Sequence, residues 1–155
     1  MIIQVPDFGD RFWVYALYDN RSDQFGHLEK PYGTKPGFYL LAGPNWRGPV
    51  PPGINEVVRA PTELANAVPR IFLNDTAEDR AAIRPLVDQV VVYPLTEFDG
   101  QMKTVDYAAL PHFPVPSSSD GGEIKWVVPE KFFDVLPHVL DDVWPAAGFV
   151  DGQLS

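Results

Sequence analysis

The sequence predicts a mainly β domain, a β-sandwich with two or three short helices packed on its edge or end. Three observations predict it. Short apolar runs recur between turns rich in Gly and Pro, residues 11–19 alternate with a period of two, and helical periodicity is confined to short stretches after residue 60. With 155 residues and 45% apolar content, the chain can bury a real core.

The elements follow in order. Ile2 to Val5 reads as a strand stopped by Pro6, and Asp7-Phe8-Gly9-Asp10 as the turn after it. Along Arg11 to Asp19, Phe12, Val14, Ala16 and Tyr18 share one face while Trp13, Tyr15 and Leu17 share the other. Both faces are apolar, so this strand is expected to be covered on both sides or to line a cavity. Asn20 to Pro36 turns polar and reads as a long functional loop. Phe38 to Leu41 is a strand that runs into Gly43, Pro44, Gly48, Pro49, Pro51, Pro52 and Gly53, with Trp46 among them. Pro fixes φ and Gly accepts positive φ, so this segment is a rigid turn holding its indole in place, with Gly43 or Gly48 expected at positive φ.

Glu56 to Arg59 is the next strand. Thr62 then resembles an N-cap for a helix over Glu63 to Val68 that Pro69 would end, followed by a strand from Arg70 to Leu73. Residues 74–79 offer caps and acidic first-turn residues for a second helix carrying Ala81, Ile83, Leu86, Val87 and Val90, which Pro85 should kink or restart. Val91 to Leu95 is a final strand. The domain organisation expected is a β-sandwich over 1–98, a Pro/Gly/Ser-rich connector over 99–128, and an amphipathic helix with its tail over 129–155. In that helix Phe132, Phe133, Leu136, Val139, Leu140 and Val143 form one stripe, with Pro129 at its first position.

Charge and composition narrow the function classes. Twelve basic against 21 acidic residues give a net charge of −9, which argues against a nucleic-acid partner. The chain has no cysteine, so disulfides, thiolate metal sites and cysteine nucleophiles are excluded together. No apolar run is long enough for a transmembrane segment. Met1 to Pro6 has no basic region and does not read as a signal peptide. His27, His112 and His138 lie far apart with no metal-ligand spacing, and Ser22, Ser117, Ser118, Ser119 and Ser155 sit in no nucleophile elbow. No cofactor is implied. Asp7 and Asp10 are the weak metal candidates, and turn-capping explains them as well.

The ligand-binding candidates are arginines at strand ends and aromatics at strand spacing. Arg11, Arg59 and Arg70 each either pair with a local carboxylate or face an anionic ligand. Trp13, Tyr15, Tyr18, Tyr39 and Trp46 either form core or line an apolar or carbohydrate-stacking pocket.

Gly9-Asp10-Arg11-Phe12, Gly43-Pro44-Asn45-Trp46-Arg47-Gly48, Ala60-Pro61-Thr62 and Pro69-Arg70-Ile71, in this order, resemble the bacterial family called domain of unknown function 1254. The likeness runs from about Ile2 to Leu95. It implies a jelly-roll β-sandwich, common in exported or periplasmic proteins, with no agreed catalytic residues to carry over. Family members usually have earlier strands and continue into a second sandwich, so the chain looks like an excised middle, a natural half-protein or a truncated gene.

Two functions follow as expectations. The first is a non-catalytic binding or assembly module that uses an aromatic, Gly/Pro-scaffolded rim, as a homo-oligomer or with a partner chain supplying missing strands, and able to take a small-molecule ligand. The second is a hydrolase or metal-assisted enzyme completed by another chain. Missing first strands would leave an open edge along Ile2 to Val5 or Phe12 to Tyr18.

Overall fold

Seven strands and two helices make up the described residues, 1–111 and 131–143, of the computed structural model. The connector beyond 111, His112, Ser117 to Ser119, Pro129 and the tail from 144, Ser155 included, lie outside them. The strands form two sheets. The first is ordered β5-β4-β1-β7 and the second β3-β2-β6. The chain divides into two units, 1–107 and 108–155.

β1 (Ile2–Val5) is fully buried on both faces, because it lies between β4 (Gly37–Ala42) and β7 (Val91–Tyr93), antiparallel to each. The pleat sends Ile3 and Val5 one way and Ile2 and Gln4 the other. Ile3 and Val5 meet Trp13, Tyr15 and Leu17 of β2 (Trp13–Asp19), Leu28 of β3 (Gln24–Glu29), Tyr39 and Phe8 in one buried cluster contributed by both sheets. Ile2 joins Phe38, Leu40, Val91 and Tyr93 in a second cluster on the other side of the first sheet. β2 is likewise central, antiparallel to β3 and to β6 (Ala65–Ile71). The open edge expected along Ile2 to Val5 or Phe12 to Tyr18 is therefore absent: both strands have neighbours on either side.

Three local expectations are corrected. Gln24–Glu29, read as loop, pairs with β2, because its Phe25 and Leu28 find an apolar neighbour that sequence proximity alone does not reveal. Asp19, 2% exposed, closes that hairpin by accepting the backbone N–H groups of Arg21 and Asp23. The helix expected over Glu63 to Val68 does not form: Glu63 and Leu64 bend, and Ala65 to Val68 begin β6. Thr62 does not cap it; its buried hydroxyl accepts from the Asn20 N–H (3.0 Å) and donates to the Leu64 carbonyl (2.7 Å).

Pro69 sits inside β6 rather than ending a helix, and the register explains how. The Phe72 N–H donates to the Phe12 carbonyl (2.8 Å), so residues 72, 70, 68 and 66 turn their amides toward β2 while 71, 69, 67 and 65 turn away. The missing N–H of Pro69 falls on the outer side of an edge strand, where it interrupts the row of donors that another strand would need.

α1 (Ala77–Val87) starts at Thr76, whose hydroxyl accepts the Asp79 N–H. Pro85 neither restarts nor ends it: the helix continues to Val87, and a proline this close to the C-terminus removes little of the ladder. The last strand stops at Tyr93, and Leu95–Glu97 is a 3-10 turn. Residues 99–107, read as connector, are held to the sheet. Gln4, fully buried, donates through Nε2 to the carbonyls of Gln89 and Lys103 (2.7 Å each) and accepts the Lys103 N–H (2.8 Å). Val105 N–H donates to Asp88, and the Tyr107 hydroxyl to the Val90 carbonyl.

In the second unit, α2 (Phe132–Val143) exposes Phe133, Val135 and Leu140. Among the described residues no helix is long and apolar enough to cross a membrane.

Candidate functional site

The Gly/Pro segment is a connection between parallel neighbours. β4 and β5 (Ile54–Arg59) run side by side in the same direction, Phe38 opposite Ile54 and Ala42 opposite Arg59. The chain must therefore travel back the length of the strand within residues 43–53, a task usually given to a helix. Proline stiffens this return path, and Trp46 packs it onto the second cluster, on the face of the sheet turned away from the shared core. Trp46 is half-buried. The Arg59 guanidinium stands 6.0 Å from its ring centroid and donates to its carbonyl (3.1 Å). The positive φ expected at Gly43 or Gly48 occurs instead at Gly53 (φ +93°). Gly48 is needed for closeness: a Cβ there would stand 2.8 Å from the indole.

The other candidates separate. Trp13 and Tyr15 are core, stacked edge to face 5.9 Å apart, and burial pushes the Tyr15 phenol up. Tyr39 is core up to its hydroxyl, which donates to the Lys35 carbonyl (2.6 Å). Arg70 is exposed on β6. Asp7 caps its own turn by accepting the Gly9 N–H, and Asp10 lies 3.5 Å from Lys30 Nζ. Among the described residues no three acidic or imidazole groups gather as metal ligands.

Arg11, with Asp10, lines an open hollow of about 630 Å³ where β2 begins and β6 ends, and Tyr39 borders a second one. The Arg11 guanidinium makes a two-pronged pair with the Asp79 carboxylate in the first turn of α1. The Arg11 hydrogen bonds, helped by the Asn74 N–H (2.7 Å), hold the Asp79 carboxyl down to about 2. Phe8 backs the Arg11 hollow. Phe12 and Phe72, side by side at the ends of β2 and β6, flank it with 53% and 54% of their surfaces exposed. Every charged group lining it is paired, Arg11 with Asp79 and Asp10 with Lys30.

Sequence reasoning found Arg11 and missed Phe72 and Asp79. Their partners, Phe12 and Arg11 just before β2, lie some sixty residues away, so only the pairing of β2 with β6 brings them together.

The family described as "Protein of unknown function (DUF1254)" matches residues 1–94. The chain belongs to this family. It is also similar to the crystal structure of the VPA0106 protein from Vibrio parahaemolyticus, with 28% sequence identity and a TM-score of 0.57. That likeness covers 73% of this chain and 28% of the Vibrio protein, so the chain spans under a third of its structural relative. No curated protein matches. The region matched by the family holds both the Arg11–Asp79 pair and the two exposed phenylalanines.

Proposed function

We propose that this chain is a non-catalytic assembly module, a β-sandwich of jelly-roll type that docks on a second copy of itself through the Phe12–Phe72 end of its three-stranded sheet. The two sheets sharing one buried cluster support the sandwich reading. The observation that carries the docking reading is the pair of half-exposed phenylalanines beside a hollow whose charges are already neutralised. Aromatic side chains at the centre of a patch with few free charges are what anchor protein interfaces. A catalytic site needs the reverse, an uncommitted acid, base or nucleophile beside a pocket. Docking by side chains also fits the strand arrangement, since β1 and β2 are central and Pro69 interrupts the β6 edge.

Sedimentation velocity across the micromolar range tests the proposal. The full chain should sediment as a dimer or larger. Phe12→Ser and Phe72→Ser should shift it to a 17.3 kDa monomer that still unfolds in one cooperative urea transition, with a midpoint that no longer depends on protein concentration. A wild-type monomer throughout, or variants that associate like wild type, would refute it.

A further inference from the structure

A second hollow, of about 400 Å³, lies where β4 and β5 begin, with Tyr32, Lys35 and Glu56 among the residues that line it. Its walls are unusually fixed. Lys30–Tyr32 form a 3-10 turn closed by Gly33 in the left-handed region, and the Thr34 hydroxyl accepts the Glu29 N–H (2.9 Å). The Tyr39 hydroxyl holds the Lys35 carbonyl, and Asn55 Nδ2 holds the Pro36 carbonyl (3.1 Å). The register between β4 and β5 steps by one residue here, from Phe38 opposite Ile54 to Tyr39 opposite Glu56, leaving Asn55 as an extra residue. Such bulges re-aim side chains and gather beside functional sites. At Gly37 (φ +136°) a Cβ would come 2.5 Å from the Asn55 amide, so the loop's return to the sheet depends on glycine.

On this frame sit three uncommitted groups. Tyr32 stacks one side of its ring on His27 (centroids 4.7 Å apart, planes at 31°) and remains 72% exposed, so the ring is held as a platform. Lys35 and Glu56 are exposed and form no ion pair among the described residues. The hollow thus presents an aromatic plane, a cluster of donors and a pair of acceptor oxygens, each fixed at its backbone and free at its tip.

We propose that this hollow binds a neutral saccharide. A pyranose ring offers a flat face of C–H groups to the tyrosine plane, hydroxyl protons to the carboxylate and hydroxyl oxygens to the ammonium. An apolar ligand would leave both charges desolvated and unpaired, and an anion would meet Glu56 in a chain whose net charge is −9. This proposal concerns a different surface from the phenylalanine pair and does not depend on it.

The test is a two-dimensional amide NMR titration of the full chain with glucose, maltose, cellobiose and N,N′-diacetylchitobiose, with inorganic phosphate as control. At least one saccharide should give saturable shifts centred on Tyr32, Lys35 and Glu56, and phosphate should give none there. Tyr32→Ala should abolish the shifts and Tyr32→Phe should keep them, while Lys35→Met and Glu56→Gln should each weaken binding by about tenfold. Unchanged β1 amides in each variant report an intact fold. Absence of saturable shifts with all four saccharides, shifts centred elsewhere, phosphate shifts at the same residues, or a Tyr32→Ala variant that still binds would each overturn the proposal.

Discussion

Gln4→Leu is the sharpest probe of how the chain is held together. Gln4 is fully buried in the central strand, and its amide makes three hydrogen bonds to the backbone of Gln89 and Lys103. Leucine is close to it in volume, so the cavity cost is small and the polar cost dominates. The substitution leaves one backbone N–H and two carbonyls without their partner, at about 1–3 kcal/mol per buried group. These groups are only partly buried, and each carbonyl keeps a second lone pair, so the low end applies. Three such groups give a loss of about 3 kcal/mol. In a domain of this size that lowers the melting temperature by more than about 10 °C. Urea unfolding measures the loss, and amide hydrogen exchange locates it. Lys103 and Val105 should lose protection first, because Gln4 is what ties their segment to β1. A loss under about 0.5 kcal/mol, or wild-type protection at both amides, would refute the reasoning.

Two further outcomes follow from other contacts. The Asp79 carboxyl is held at about 2 in the fold against an ordinary 3.8, chiefly by its hydrogen bonds from Arg11. Because the folded value is the lower one, the stability this pair supplies is complete above about pH 4 and is lost as pH falls toward 2. Urea midpoints of wild type and Asp79→Asn should therefore converge on acidification over that window, and a constant gap would refute the assignment. Gly48→Ala places a Cβ 2.8 Å from the Trp46 ring, so the indole must move off the second cluster; a loss of about 1–3 kcal/mol and a shifted tryptophan emission are expected, and an unchanged midpoint would show that the turn yields freely.

The strands over Ile2–Val5, Trp13–Asp19, Gly37–Ala42 and Ile54–Arg59, and the helix that Thr76 caps, were legible because each is written in a local code of alternation, caps and breakers. β3 and most of β6 were not; only the end of β6, Arg70 and Ile71, falls within the strand expected over Arg70 to Leu73. The segments QFGHLE and ANAVP carry a glycine, a proline and polar residues that read locally as loop or helix. They become strands because β2 offers both of its edges. The Gly/Pro segment was legible as rigid, but not as a return path between parallel strands, since nothing within it says that β5 will lie beside β4 in the same direction.

By itself, the sequence determined a mainly β chain, its family, and Arg11 as a residue of interest. Tertiary structure decided which groups meet Arg11. The Asp79 carboxylate comes from a helix 68 residues downstream, and Phe72 reaches Phe12 through the pairing of β6 with β2. Tyr32 and Glu56 share a hollow at the point where the register of β4 and β5 steps past Asn55. The physical reason is the same in each case. Backbone preference and hydrophobic period act over a few neighbouring residues, whereas a binding surface is made by strand pairing, which joins residues whose separation along the chain leaves no local mark.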